Sequence, residues 1–139
     1  MSALAILAVL LLAAAEPNPE MNCPDPSWRG PDGPLDELPR RIKTVPPEYP
    51  SKWRRQGIET DVIVLGTVDL DGNFGDVVVH SCKATKHGKP ILEDELTDVC
   101  RVASQVVGDT VRRWKYEPAK MGGKPVCSVY TVRMENKYH

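Results

Sequence analysis

The sequence predicts a small α+β domain, a three-stranded antiparallel sheet with two helices packed on one face. Three observations predict it. Two β-branched runs, "TDVIVLGTVDL" and "DVVVHSC", flank the turn "DGNFG", in which Asp71-Gly72 is a strong hairpin signal. Within "ILEDELTDVCRVASQVVGDTVRRW", residues Ala103, Val106, Val107, Thr110, Val111 and Trp114 recur at three- and four-residue steps, an apolar stripe along one side of a long helix. In "VCSVYTVRM", Val126, Ser128, Tyr130, Val132 and Met134 alternate with Cys127, Val129, Thr131 and Arg133, the two-residue period of a strand. The order helix, strand, strand, long helix, strand segregates the helices onto one sheet face.

The elements follow in order. Residues 1–15 hold an apolar run, Ala3 to Ala15, shorter than the roughly 20 residues a membrane span needs. With Ala13-Ala14-Ala15 before Glu16 it reads as a cleaved export signal, although no Lys or Arg precedes it. As written the chain carries no transmembrane anchor; a longer start would make this run an uncleaved inner-membrane anchor. Residues 16–39 are rich in proline, glycine and acid and are expected to be loosely ordered, with Trp28 and Leu38 as candidates to dock on the domain. The folded domain spans 40–139. "RIKTVPPEYP" is an extended lead-in, because each residue before a proline is pushed out of the helical region. Ser51 is a candidate N-cap for a short helix that Gly57 ends. After the strand pair, "KATKHGKP" reads as a loop, and the long helix follows. Pro118 stops that helix, and "MGGKP" turns the chain into its last strand, Val126 to Met134.

Composition excludes several functions. In a chain of 139 residues with a formal net charge of −1, nothing supplies the basic surplus that nucleic-acid binding requires. Cys23, Cys82, Cys100 and Cys127 form an even set, which in an exported protein favours two disulfides and leaves three pairings open. His80, His87, Cys82 and Cys100 match no standard metal spacing, so neither a metal nor another cofactor is expected. Glu93, Asp94 and Glu95 suit the start of a helix, where the dipole favours acids. Ser81 and His80 are neighbours on a strand, face opposite ways, and make no dyad. Gly122-Gly123-Lys124 lacks the spacing of a phosphate loop. No catalytic constellation remains, and the chain reads as a non-enzyme.

The stretch "VRRWKYEP" combines charge with aromatics. Arg112, Arg113 and Lys115 lie in the last helical turn and complement the dipole, while Trp114 belongs to the buried stripe. Together, "VPPEYP" with Tyr49-Pro50, "RRQGIE", "VDLDGNFGDVVV" and "RRWKYEPAKMGGKPV" with Arg112, Arg113, Trp114, Tyr116 and Pro118 resemble the C-terminal domain of TonB-type energy transducers, from about Arg40 onward. The resemblance implies a periplasmic protein- or peptide-binding domain serving transport across the outer membrane. It implies a partner, an outer-membrane transporter peptide or another envelope protein, captured as an added strand along Val126, Ser128, Tyr130, Val132 and Met134, with Glu48 and Tyr49 nearby. A self-associating or scaffold domain, a homodimer through the same edge, is the alternative, and a metal carrier a more distant one. The chain departs from the family by lacking a long spacer and by inserting residues 83–102 between Cys82 and the helical stripe. A Cys82–Cys100 bridge would pin that insertion for about 3 kcal/mol. It would leave Cys23 to tie the tail to Cys127, where the tail could cover the edge.

Overall fold

The computed structural model describes residues 21–24 and 35–138. The expected signal at 1–15 lies outside the described residues, as does most of the 16–39 tail, Trp28 included.

The sheet forms where the β-branched runs predict it. Strand β2 (Ile58–Val68) is central, pairing antiparallel with β3 (Phe74–Lys86) on one side and β8 (Ser128–Asn136) on the other. A short β4 (Lys89–Pro90) extends the far edge, so the main sheet runs β4-β3-β2-β8, with four strands in place of three. Two small antiparallel ribbons accompany it: β1 (Arg40–Lys43) with β5 (Lys115–Glu117), and β6 (Ala119–Met121) with β7 (Lys124–Val126). Helix α1 (Lys52–Gln56) and helix α2 (Glu93–Arg113) complete the α+β fold. Alternate residues of β2, from Ile58 through Val62, Val64 and Val68, join Val99, Ala103, Val107, Val111 and Trp114 in one buried cluster with Trp53 of α1. That pattern places both helices over the same sheet face.

Several local expectations are corrected. Lys83–Lys86 continue β3 rather than looping, because His87 (φ 52) and Gly88 (φ 75) make a tight turn into β4. Strand β3 accommodates its length through two register shifts against β2, one beside Ile63/Val64 and one between Leu65 and Thr67, where Asp76 takes φ 52. Helix α2 ends at Arg113, since Trp114 is already extended at φ −71, ψ 153; Pro118 comes too late to stop it. Ser51 makes no side-chain cap bond, whereas Gly57 ends α1 in the left-handed region at φ 64. Leu38 is exposed rather than docked.

The turn between β2 and β3 is a hub. The buried Asp69 carboxylate accepts the backbone N–H groups of Asp71 and Asn73, both at 2.9 Å, and of Asn22 at 3.0 Å. Gly72, at φ 81, brings its carbonyl to the Tyr116 N–H at 3.0 Å, with no room for a Cβ against the Tyr116 carbonyl. Disulfides join Cys23 to Cys127 and Cys82 to Cys100. The first seats residues 21–24 beside this turn. Residues 36–37 then hydrogen-bond Lys120 of β6. The described parts of the tail thus lie at the turn and along the ribbons, not along the outer side of β8.

Candidate functional site

Strand β8 pairs with β2 in unbroken register, from Val68 opposite Ser128 to Thr60 opposite Asn136. In an antiparallel ladder, alternate residues turn their N–H and C=O away from the partner. Among the described residues, no strand and no backbone hydrogen bond reaches the outward side of β8. Among the described residues, this nine-residue edge therefore has no backbone partner.

Beside it lies an open groove of about 480 Å³, lined by Arg41, Thr44–Pro47, Trp114 and residues 133–135. Arg133, Met134 and Glu135 are consecutive on a strand and face alternate sides. A groove touching all three follows the strand's edge, and β2 already occupies the other edge. The opposite wall is the lead-in, which the prolines keep extended. The Trp114 indole N–H donates to the Val45 carbonyl at 2.8 Å, fixing that wall to the end of α2. Trp114 is otherwise buried, so the bond ties the lead-in to the core across 69 residues of chain.

Charge is distributed unevenly along the groove. Arg133 is neutralised by Asp61 at 2.7 Å, in a two-pronged contact, and by Glu135 at 3.2 Å. The hydrogen bonds from Arg133 hold the Asp61 carboxyl below its usual range. The Arg41 guanidinium instead lies 4.8 Å from the Trp114 ring centroid and 5.9 Å from that of Tyr130. Its neighbour Arg40 pairs with Glu117, but among the described residues no carboxylate pairs with Arg41. Behind the wall, Phe74, Trp114, Tyr116 and Tyr130 form an aromatic cluster with centroids 5.4–6.4 Å apart. Burial pushes the Tyr116 hydroxyl well above its usual range, against the opposing pull of Arg41.

The structure separates the residues that the sequence grouped. Ser128 and Val132 are fully buried, Met134 nearly so, and Tyr130 packs in the aromatic cluster, so these side chains face the core. What they can offer a partner is their backbone. Val126 is not in this strand at all: it belongs to β7, and the buried Cys127 separates it from β8. Tyr49 stacks on Trp53 at 5.8 Å, and burial pushes its hydroxyl up to about 12. Neither Tyr49 nor the exposed Glu48 lines the groove. Arg112 and Arg113 are exposed on α2, with Arg112 3.4 Å from Asp109, while Pro118 separates β5 from β6. Arg41, Val45 and Glu135 are groove residues that sequence reasoning missed. The proline run could have flagged a rigid wall, but nothing local signals the stack of Arg41 on Trp114.

Comparison with known proteins completes the picture. Residues 45–135 match the family model described as the Gram-negative bacterial TonB protein C-terminal. The solution NMR structure of the Pseudomonas aeruginosa TonB CTD aligns with 81% of this chain and 96% of its own, at 21% identity and a TM-score of 0.42. A search of curated proteins found no match.

Proposed function

The chain belongs to the family of Gram-negative TonB C-terminal domains, and on that premise we propose that it is a non-catalytic periplasmic domain that captures a partner peptide by strand addition on β8. One observation carries this reading. The outward edge of β8 has no backbone partner among the described residues, and a groove with an extended, tethered wall lies beside its Arg133–Glu135 end. A peptide strand laid there completes the unpaired N–H and C=O groups, and each hydrogen bond made contributes about 1 kcal/mol net. The side chains of Ser128, Val132 and Met134 stay in the core, so affinity comes from main chain and selectivity from the groove.

The partner class is an outer-membrane transporter segment of the TonB-box kind, or another envelope protein offering an extended strand, which places the domain in TonB-dependent transport. The Cys23–Cys127 bridge serves this role by holding residues 21–24 at the β2–β3 turn, away from the edge.

The test uses fluorescence anisotropy with a labelled TonB-box peptide and its alternately N-methylated analogue. The native peptide is expected to bind, and the analogue, stripped of its ladder donors on one side, to bind at least about tenfold more weakly. Affinity unchanged by methylation of each of the two alternate sets in turn would show that main-chain pairing is not the mode of capture.

A further inference from the structure

We propose that Arg41 is a specificity-determining residue of this site, and that it selects an incoming strand carrying a carboxylate side chain. The inference rests on the strand-addition reading and adds to it the chemistry of the occupant.

Arg41 and Arg133 both line the groove. Its two arginines differ in kind. Arg133 meets Asp61 and Glu135 within 3.2 Å, so its charge is satisfied inside the fold. Arg41 meets no carboxylate among the described residues, although a carboxylate lies next to its neighbour, Glu117 against Arg40. Nearby, the β1–β5 register sets Lys43 directly opposite Lys115, a like-charge pair that a sheet ordinarily avoids. Lys115 reaches only the neutral Asn73 side chain, at 2.7 Å. The β1–β5 ribbon beside the groove, with Arg41 in the groove wall, therefore carries positive charge that the described residues leave uncompensated.

Position makes that charge usable. Cation–π contacts hold the Arg41 Cζ at 4.8 and 5.9 Å from the ring centroids of Trp114 and Tyr130. Trp114 is itself held by its bond to Val45. An arginine held by two rings presents its N–H fork with less entropy left to lose, and a carboxylate accepts that fork through both oxygens. A strand paired to β8 turns alternate side chains toward the aromatic face, where Tyr130 and Arg41 lie. An Asp or Glu at the register that meets Arg41 gains a charge-assisted pair, while an apolar or basic residue there meets an unanswered cation. Discrimination by such a contact is expected to be about five- to tenfold, at the upper end for a solvent-facing pair because the arginine is held in place.

The experiment is a peptide scan crossed with a substitution. Short strand-forming peptides of alternating threonine and valine, each with one glutamate at a different position and each matched by a glutamine version, are titrated against the wild-type domain and Arg41→Gln. Arg41 is exposed at the surface, and a thermal melt with an amide spectrum verifies that the variant is folded. The expected result is one register at which glutamate binds about five- to tenfold tighter than glutamine in the wild type. The preference disappears in Arg41→Gln, and it shrinks at high salt. Arg41→Lys, which keeps charge but loses the planar fork, retains part of it. Equal binding of glutamate and glutamine peptides, or a preference that survives Arg41→Gln, overturns the role of Arg41 while leaving strand capture intact. No binding by any peptide overturns both.

Discussion

The Cys23–Cys127 bridge closes a loop of 104 residues, against 18 for Cys82–Cys100. In the chain-entropy account, cross-linking removes freedom from the unfolded chain as the logarithm of loop length, giving about 4.7 kcal/mol for the long loop and about 3.2 kcal/mol for the short one. The smaller loop is nested in the larger, which shortens the effective long loop by the residues already cross-linked and changes its contribution by only about 0.2 kcal/mol. Folded-state contacts add to the long bridge. Asn22 donates to Asp69 and accepts from Leu70, and the Met21 thioether covers Gly75, all of which depend on the tail staying docked. Replacing Cys23 and Cys127 by alanine is therefore expected to cost about 4–5 kcal/mol, and replacing Cys82 and Cys100 about 3 kcal/mol. The assay is equilibrium urea unfolding of both double variants beside wild type, with the slope as well as the midpoint recorded. Loss of either cross-link also raises the slope, since the unfolded chain exposes more surface. A Cys23/Cys127 variant at least as stable as the Cys82/Cys100 variant would refute the reasoning, because it would mean the tail is not part of the cooperative unit.

Three other outcomes follow from the same geometry. Trp114→Phe removes the bond to Val45 and part of a buried ring, and is expected to destabilise by about 2–3 kcal/mol in the same urea assay; a loss under about 0.5 kcal/mol would deny the tether. Gly72→Ala drives a Cβ to 2.1 Å from the Tyr116 carbonyl and is expected to cost more than about 3 kcal/mol, whereas Gly88→Ala, also at positive φ but in open space, costs about 1 kcal/mol; equal melting temperatures would remove the hub role of the turn. The Asp61 carboxyl has its pKa lowered in the fold by Arg133, so its contribution is fully present above the unfolded carboxylate pKa of about 3.9 and is lost as pH falls through the lower folded value. Asp61→Asn should flatten the acid limb of a stability–pH curve below that pKa and leave its slope near neutrality unchanged; an acid limb of wild-type steepness would contradict it.

How much of this was legible depended on whether the signal was local. The β2–β3 hairpin and the stripe of α2 are written in short-range periodicity, and they form where the pattern puts them. Lys83–Lys86 was illegible as strand because its residues are mostly polar, and its pairing with β2 is decided by the register shifts upstream. The β6–β7 ribbon comprises two three-residue strands, too short for an alternating pattern to show. Val126 has the parity of the last strand, yet the structure breaks the strand at Cys127, whose bridge to Cys23 no periodicity encodes. For the site, the edge strand was readable and its alternation correct. That alternation itself turns Ser128, Val132 and Met134 inward, so the residues named for binding offer main chain only. The groove rests on the Trp114–Val45 bond and the stacking of Arg41, contacts between segments about 70 residues apart.

The measurement that bears most directly on the central claim is an amide-resolved NMR titration of the whole described domain with an unlabelled TonB-box peptide, followed by isotope-filtered contacts at saturation. Strand addition predicts that the perturbed amides concentrate in Ser128–Asn136, with those of the outward-turned alternate residues gaining protection from exchange. It also predicts peptide Hα contacts to the β8 backbone. Unmoved β8 amides at saturating peptide, or contacts mapping instead to Leu65 and Val78 on the opposite sheet face, would contradict it.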